Sequence, residues 1–241
     1  MNFLRSEWIK LATTRTTWAM LGVGLLGEAL FAGLYVGLAP LHEIGGLDEV
    51  APGVGLLLVL TLVLGVLVAT TEFRHGTASS TFLASPRRYP VLLAKLGVTL
   101  LIGLLAGAAF VLVNAGLAVP IFSGRGGELP SFGDLASVYA GVVVSLALVC
   151  AFGLGVGAIV RNQVGAIIAA IAFFFVLSPL PTLLPGSIGD YFPAQALGSL
   201  HGHTEGEASL SQIGGGLVLA AWALGLWAIG TVMVARRDLS E

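Results

Sequence analysis

The stretch Ala136-Ser-Val-Tyr-Ala-Gly-Val-Val-Val-Ser-Leu-Ala-Leu-Val-Cys-Ala-Phe-Gly-Leu-Gly-Val-Gly-Ala-Ile-Val160 contains no charged residue. A hydrocarbon core about 30 Å thick is crossed by about 20 apolar residues in helical form. The run is continuous and lacks the period-two alternation of a barrel strand, so it reads as a spanning helix. Outward from it, the same reading places spans at roughly 17–39, 53–71, 91–122, 164–184 and 214–235, six in all. The run 91–122 exceeds the length needed to cross, which implies tilt or projection beyond one leaflet. Pro179 and Pro181 are expected to break the last turn of the fifth span.

Composition agrees. Of 241 residues, 56% are hydrophobic and 10% charged, against about 25% charged in a soluble domain. Disorder is excluded, because disordered chains are polar. A single cysteine, Cys150, leaves no internal disulfide and no cysteine-cluster metal site. The fold class expected is all-α: one polytopic transmembrane domain, 1–241, with an interfacial helix at residues 1–16.

Charge placement sets the orientation. With the N-terminus inside, Arg5, Lys10, Arg15, Arg74, Arg87, Arg88, Lys95, Arg161, Arg236 and Arg237 are all internal, and of the 11 Lys and Arg only Arg125 is external. Basic asymmetry over short loops orients a membrane protein, so both termini are expected in the cytoplasm. No small-x-small cleavage site follows the first run near Leu38-Ala39-Pro40, so that run is expected to be a retained helix rather than a signal peptide.

Two internal segments carry more than an orientation signal. In residues 1–16, Phe3, Leu4, Trp8, Leu11 and Ala12 recur at spacings of three and four, with Arg5, Glu7 and Lys10 mostly off that face. Such a helix lies in the interface against lipid. The loop 72–90 joins Glu72, Arg74 and His75 to Gly76, a short helix-forming stretch and a stop at Pro86. Those features suit a docking element.

The segments Leu4–Trp18 (LRSEWIKLATTRTTW), Thr71–Leu96 (TEFRHGTASSTFLASPRRYPVLLAKL) and Tyr191–Leu197 (YFPAQAL) resemble the ABC-2 type permeases, the membrane subunits of ATP-binding-cassette exporters. The resemblance covers the whole chain. It implies a coupling loop at 72–90 that seats in a separate ATPase, with Glu72, Phe73, Arg74, His75, Gly76 and Thr77 as the contact residues. It also implies short external helices near Tyr191, Phe192 and Pro193, within the external segment 185–213, that close the outer end of the pathway. Expected partners are the ABC ATPase, a second copy or related permease chain, and membrane lipid. ATP and Mg would sit on the ATPase, with no cofactor on this chain.

The residues themselves supply little catalytic chemistry. Lys10 follows Ile9 and Lys95 follows Ala94, so there is no Gly-Lys-Ser/Thr phosphate loop. Gly22-Val-Gly-Leu-Leu-Gly27 matches a dinucleotide fingerprint only in letters, since it lies inside an apolar span. Its glycines, with Gly33/Gly37, Gly103/Gly107 and Gly153/Gly157, read as close helix-packing positions. Bases are too dispersed for nucleic acid. The segment His201-Gly-His-Thr-Glu-Gly-Glu207 offers imidazole and carboxylate but reads as a solvated loop, and no metal site is expected.

Two intramembrane polar residues stand out. Glu28 lies mid-span, where a charge costs at least ~2.5–3.5 kcal/mol. It is read either as a protonated group bonded to a neighbouring helix or as a substrate or proton contact in the translocation path. Asn114 is the weaker candidate, and interhelical hydrogen bonding explains it. The function expected is the permease half of an exporter of amphipathic or hydrophobic cargo (a drug, peptide antibiotic or lipid), not an enzyme by itself. The alternatives are an intramembrane enzyme, which would need a convergent polar set, and a stand-alone secondary transporter, which usually shows two related halves.

Overall fold

The computed structural model describes residues 3–44, 54–74, 88–183, 187–202 and 210–236. Among them the regular structure is helical, with no strand. Helix α1 (Phe3–Thr13) ends where Thr13 and Thr14 donate their hydroxyls to the carbonyls of Ile9 and Lys10, at 2.7 and 2.6 Å. Trp18 Nε1 donates to Ala12 O at 2.7 Å. These bonds satisfy the terminal carbonyls of α1, and α2 (Arg15–Leu38) starts at once. A single turn, Leu41–Ile44, follows. Then come α3 (Gly55–Arg74), α4 (Arg88–Gly124), α5 (Phe132–Val160) and α6 (Gln163–Ile171). The chain closes with α7 (Pro193–Leu200) and α8 (Gln212–Arg236).

Five helical segments are long and apolar enough to cross a membrane: α2, α4, α5, the stretch Gln163–Leu183, and α8. The apolar part of α3, Gly55–Thr71, is shorter. This is the pattern of a multi-pass membrane protein.

The segment that begins with α6 departs from α geometry before its prolines. Residues Ala172–Leu177 are π-helical, with Ser178 N–H donating to Phe173 O at 2.8 Å, and a 3₁₀ turn spans Leu180–Leu183. Pro179 has no amide hydrogen to offer the ladder, but the widening is already in place at Ala172. Beyond it a 3₁₀ turn (Ser187–Tyr191) leads into α7, whose first residue is Pro193, the position where a missing N–H costs nothing.

Helix α5 is the axis of the bundle. Most of its length is buried, and α3, α4 and α8 pack around it. Backbone contact makes this geometry. A methyl added at Gly65 on α3 would overlap the carbonyl of Cys150, and one at Gly153 on α5 would overlap that of Leu62. Gly103 and Gly107 on α4 meet the backbone of Ala147 and Val143 in the same way, and Gly157 meets Val66 and Ala69. Gly24 and Gly27 on α2 seat Leu57 and Leu56. The packing expectation fails at Gly22, Gly33 and Gly37, where nothing lies within 4 Å. Those three point off the bundle, so their spacing records no contact within this chain.

The two ends of the bundle differ. At one end Lys10, Lys95 and Gln163 share a cavity, and Arg161 Nη2 donates to Met233 O at 3.0 Å. Arg161 caps α5 in the left-handed region, φ 59°, a conformation usually left to glycine or asparagine. At the other end Arg125 Nη1 donates to Val36 O at 2.5 Å and joins α2 to the region beyond α4.

Gly153→Val should force α3 and α5 apart. We expect a loss of about 1–3 kcal/mol, the scale of core overpacking, read as a lower unfolding midpoint in detergent. Gly33→Ala should leave the midpoint unchanged or slightly raised, because its added methyl meets open space.

Candidate functional site

Three helices converge on one polar chain. On α2, Gly24, Glu28, Ala32 and Val36 recur every fourth residue and are buried, which turns Glu28 inward toward α4. Asn114 Nδ2 on α4 donates to Glu28 Oε1 at 2.7 Å. Tyr139 OH on α5 donates to Asn114 Oδ1 at 2.9 Å. The structure therefore brings together the two intramembrane residues that the sequence singled out, and adds Tyr139. Glu28 is 1% exposed and Asn114 0%, so neither reaches solvent as the helices stand. The second carboxyl oxygen, Glu28 Oε2, is buried without a hydrogen-bond partner.

The direction of these bonds matters. Tyrosine donates to the amide oxygen, which leaves the amide N–H for the carboxyl. Both donors are neutral. A buried carboxyl with one oxygen unmatched is expensive, because desolvation is met by only one bond. The arrangement can hold a proton or oppose a positive charge.

A second polar cluster lies at the Lys95 end. Glu7, placed by the sequence on the polar side of α1, is instead its buried face, 4% exposed, while Leu4 is 54% exposed. The cause is Lys95 on α4: its Nζ sits 2.8 Å from Glu7 Oε2, and Lys10 Nζ is 2.6 Å from Oε1. With Lys95 as its partner the Glu7 carboxylate can lie on that face, where an unpaired buried charge would be far more costly. A cavity of about 260 Å³ opens beside the pair. Its lining includes Glu7 and Lys10 of α1, Leu67 and Thr71 of α3, and Lys95 of α4.

The predicted coupling residues directly follow Thr71, a lining residue of that cavity, in sequence. The backbone of Glu72, Phe73 and Arg74 forms the last turn of α3, so the helix runs past the expected boundary at residue 71. Their side chains, and all of His75, Gly76 and Thr77, lie outside the described residues. Tyr191, Phe192 and Pro193 fold onto α8. Tyr191 O accepts from Trp222 Nε1 at 2.8 Å, the Phe192 ring lies 6.0 Å from that of Trp222, and Pro193 is buried. Ala194 N–H donates to Ser178 Oγ at 2.8 Å, which ties α7 to the broken segment.

His201 contradicts the solvated-loop reading. It ends α7, is 6% exposed, and its Nε2 lies 2.8 Å from Ser145 Oγ on α5. The Ser145 hydroxyl also lies 2.8 Å from Val142 O, and the direction of its bond with Nε2 follows the tautomer of the imidazole. Residues 203–209 lie outside the described set. No group of three or more His, Cys, Asp or Glu that could hold a metal is found among the described residues.

Comparison with family models, with characterised proteins and with solved structures gives no match.

Asn114→Leu removes both the donor to Glu28 and the acceptor of Tyr139. We expect it to cost about 1–3 kcal/mol, the penalty for stranding buried polar groups. Tyr139→Phe should cost about 0.6 kcal/mol, the mean for interhelical bonds in membranes. Reversible unfolding in mixed micelles measures both. For the other cluster, Glu7→Ala should destabilise by about 3 kcal/mol, as breaking a buried pair does. Lys10→Ala should cost under about 1 kcal/mol, because Lys10 is half exposed. Limited proteolysis after Thr13 reads the release of α1.

Proposed function

We propose that this chain is the permease subunit of an ATP-binding-cassette exporter. Six helices cross the inner membrane of a bacterial cell in this reading, with both termini in the cytoplasm. One observation carries it. Helix α1, the end of α3 and the start of α4 meet around a single buried ion pair and a shared cavity. The loop 72–90 is rooted at the end of α3 and the start of α4. A push on that loop therefore meets one rigid body, made of both its roots and the interfacial helix, instead of three independent elements. Transmission of force from a separate motor needs that mechanical property.

Other features support the reading. Helix α3 packs against both α2 and α5, which supports reading it as a sixth span. Lys10, Lys95 and Arg161 gather at one end of the bundle and Arg125 stands at the other, in keeping with the basic asymmetry that orients membrane proteins. The segment 187–200 folds back over α8 and α5 at the far end, where a closing element is wanted. The motor is an ATPase subunit that carries ATP and Mg; a second copy or a related permease completes the pathway. Cargo is an amphipathic or hydrophobic molecule.

Purification from native membranes tests the assignment. A P-loop ATPase should accompany the chain in a 1:1 subunit ratio. Gly76→Pro, Glu72→Arg and Arg74→Glu should each abolish cargo efflux and the stimulation of that ATPase, with the bundle still monodisperse. Wild-type efflux in those variants, or energised pumping by vesicles that hold this chain alone, would overturn it.

A further inference from the structure

We propose that Glu28 is the recognition group for a hydrophobic organic cation, one ammonium or phosphonium centre on an apolar body. For the direction of cargo movement this rests on the exporter reading; the binding itself does not. Two independent observations point to it. The first is the unmatched oxygen: Glu28 Oε2 is buried with no hydrogen-bond partner, while Oε1 accepts from Asn114 at 2.7 Å. The second is an aromatic pair on the same helix. Phe31 and Tyr35 stack with ring centroids 5.1 Å apart and planes 15° apart, and both are exposed, at 41% and 38%.

Helical geometry connects the two. Tyr35 lies two turns from Glu28 on nearly the same line of α2, and Phe31 one turn away on the flank. The pair therefore stands at the edge of the buried face, within reach of a molecule in the surrounding bilayer. Aromatic faces attract cations through the ring quadrupole, and a carboxylate supplies the counter-charge. Aromatic rings one and two turns along the helix from a buried carboxyl suit a lipophilic cation and disfavour a lipophilic anion.

The neighbours of Glu28 leave that charge role to a ligand. Leu56, Leu57 and Leu60 of α3 pack on the glycines of α2 and are apolar. From α4 the facing group is Asn114, and from α5 it is Tyr139, the one titratable neighbour among the described residues. Arg125, at the near end of the bundle, donates to Val36 O. The alternative role, a tie between helices, could be filled by glutamine, which also accepts from Asn114. Glutamate differs in the charge it can carry, so the Gln variant separates the two roles.

The test uses the purified full chain in nanodiscs of phosphatidylcholine, a lipid without net charge. Tetraphenylphosphonium is the probe and tetraphenylborate, of the same shape and opposite charge, the control. The expected result is saturable binding of the phosphonium and none of the borate. Glu28→Gln should weaken phosphonium binding at least tenfold, and the double variant Phe31→Leu, Tyr35→Leu about threefold or more. If Glu28→Gln fails to fold, the double variant decides, since both rings are exposed. Absence of saturable phosphonium binding, equal binding of the borate, or unchanged affinity in the variant that decides would overturn the proposal. Failure of the exporter reading shows differently, as the absence of an ATPase from the native complex, and leaves this measurement intact.

Discussion

The approach of α3 to α5 through Gly65 and Gly153 is the constraint on which the bundle depends. Helices with uniformly apolar surfaces gain nothing by hiding those surfaces from lipid, so contact must come from close packing and a few polar bonds. Where side chains are absent, backbones touch and the attraction of many atoms adds up. Helix α5 collects three such partners and becomes the most buried element. The remaining spans are then placed by what can reach it. Helix α2, with no backbone contact of this kind to α5, is left at the margin with its leucines outward.

That marginal position explains why the polar contacts matter where they fall. The Glu28–Asn114–Tyr139 chain links α2 through α4 to the central helix, and Arg125 fastens α2 again at Val36. Helix α1 is likewise held by Glu7 and Lys95 rather than by hydrophobic burial alone. The elements least secured by packing are thus the ones secured by charge and hydrogen bonds.

Much of the architecture was legible in the sequence, since a bilayer imposes length and apolarity on every span and leaves little else to choose. Helix positions followed within a few residues, and Glu28 was conspicuous because an acid mid-span has few inexpensive explanations. The partners were not legible. Nothing in a single chain marks Tyr139 as the neighbour of Asn114, and the amphipathic period of α1 pointed Glu7 away from the core because Lys95 lies on a distant segment. Gly33 and Gly37 show the converse: small-residue spacing is necessary for a close seam but says nothing of whether a helix lies opposite. His201 was misplaced because its glycine-rich surroundings resembled a loop, whereas α7 delivers it onto α5. The π-helical stretch had no sequence signal beyond the prolines that follow it.

One dimension of α4 links the two polar clusters. It is a continuous helix of 37 residues, and Lys95 and Asn114 stand about 28 Å apart along it at 1.5 Å rise per residue. A stiff rod fixed at its middle by glycine contacts with α5 acts as a lever. A tilt of its Lys95 end swings the Asn114 end the opposite way, and the amide that grips Glu28 travels with it. Events at one end of the bundle and the grip on a carboxyl deep within it are therefore the two arms of a single balance.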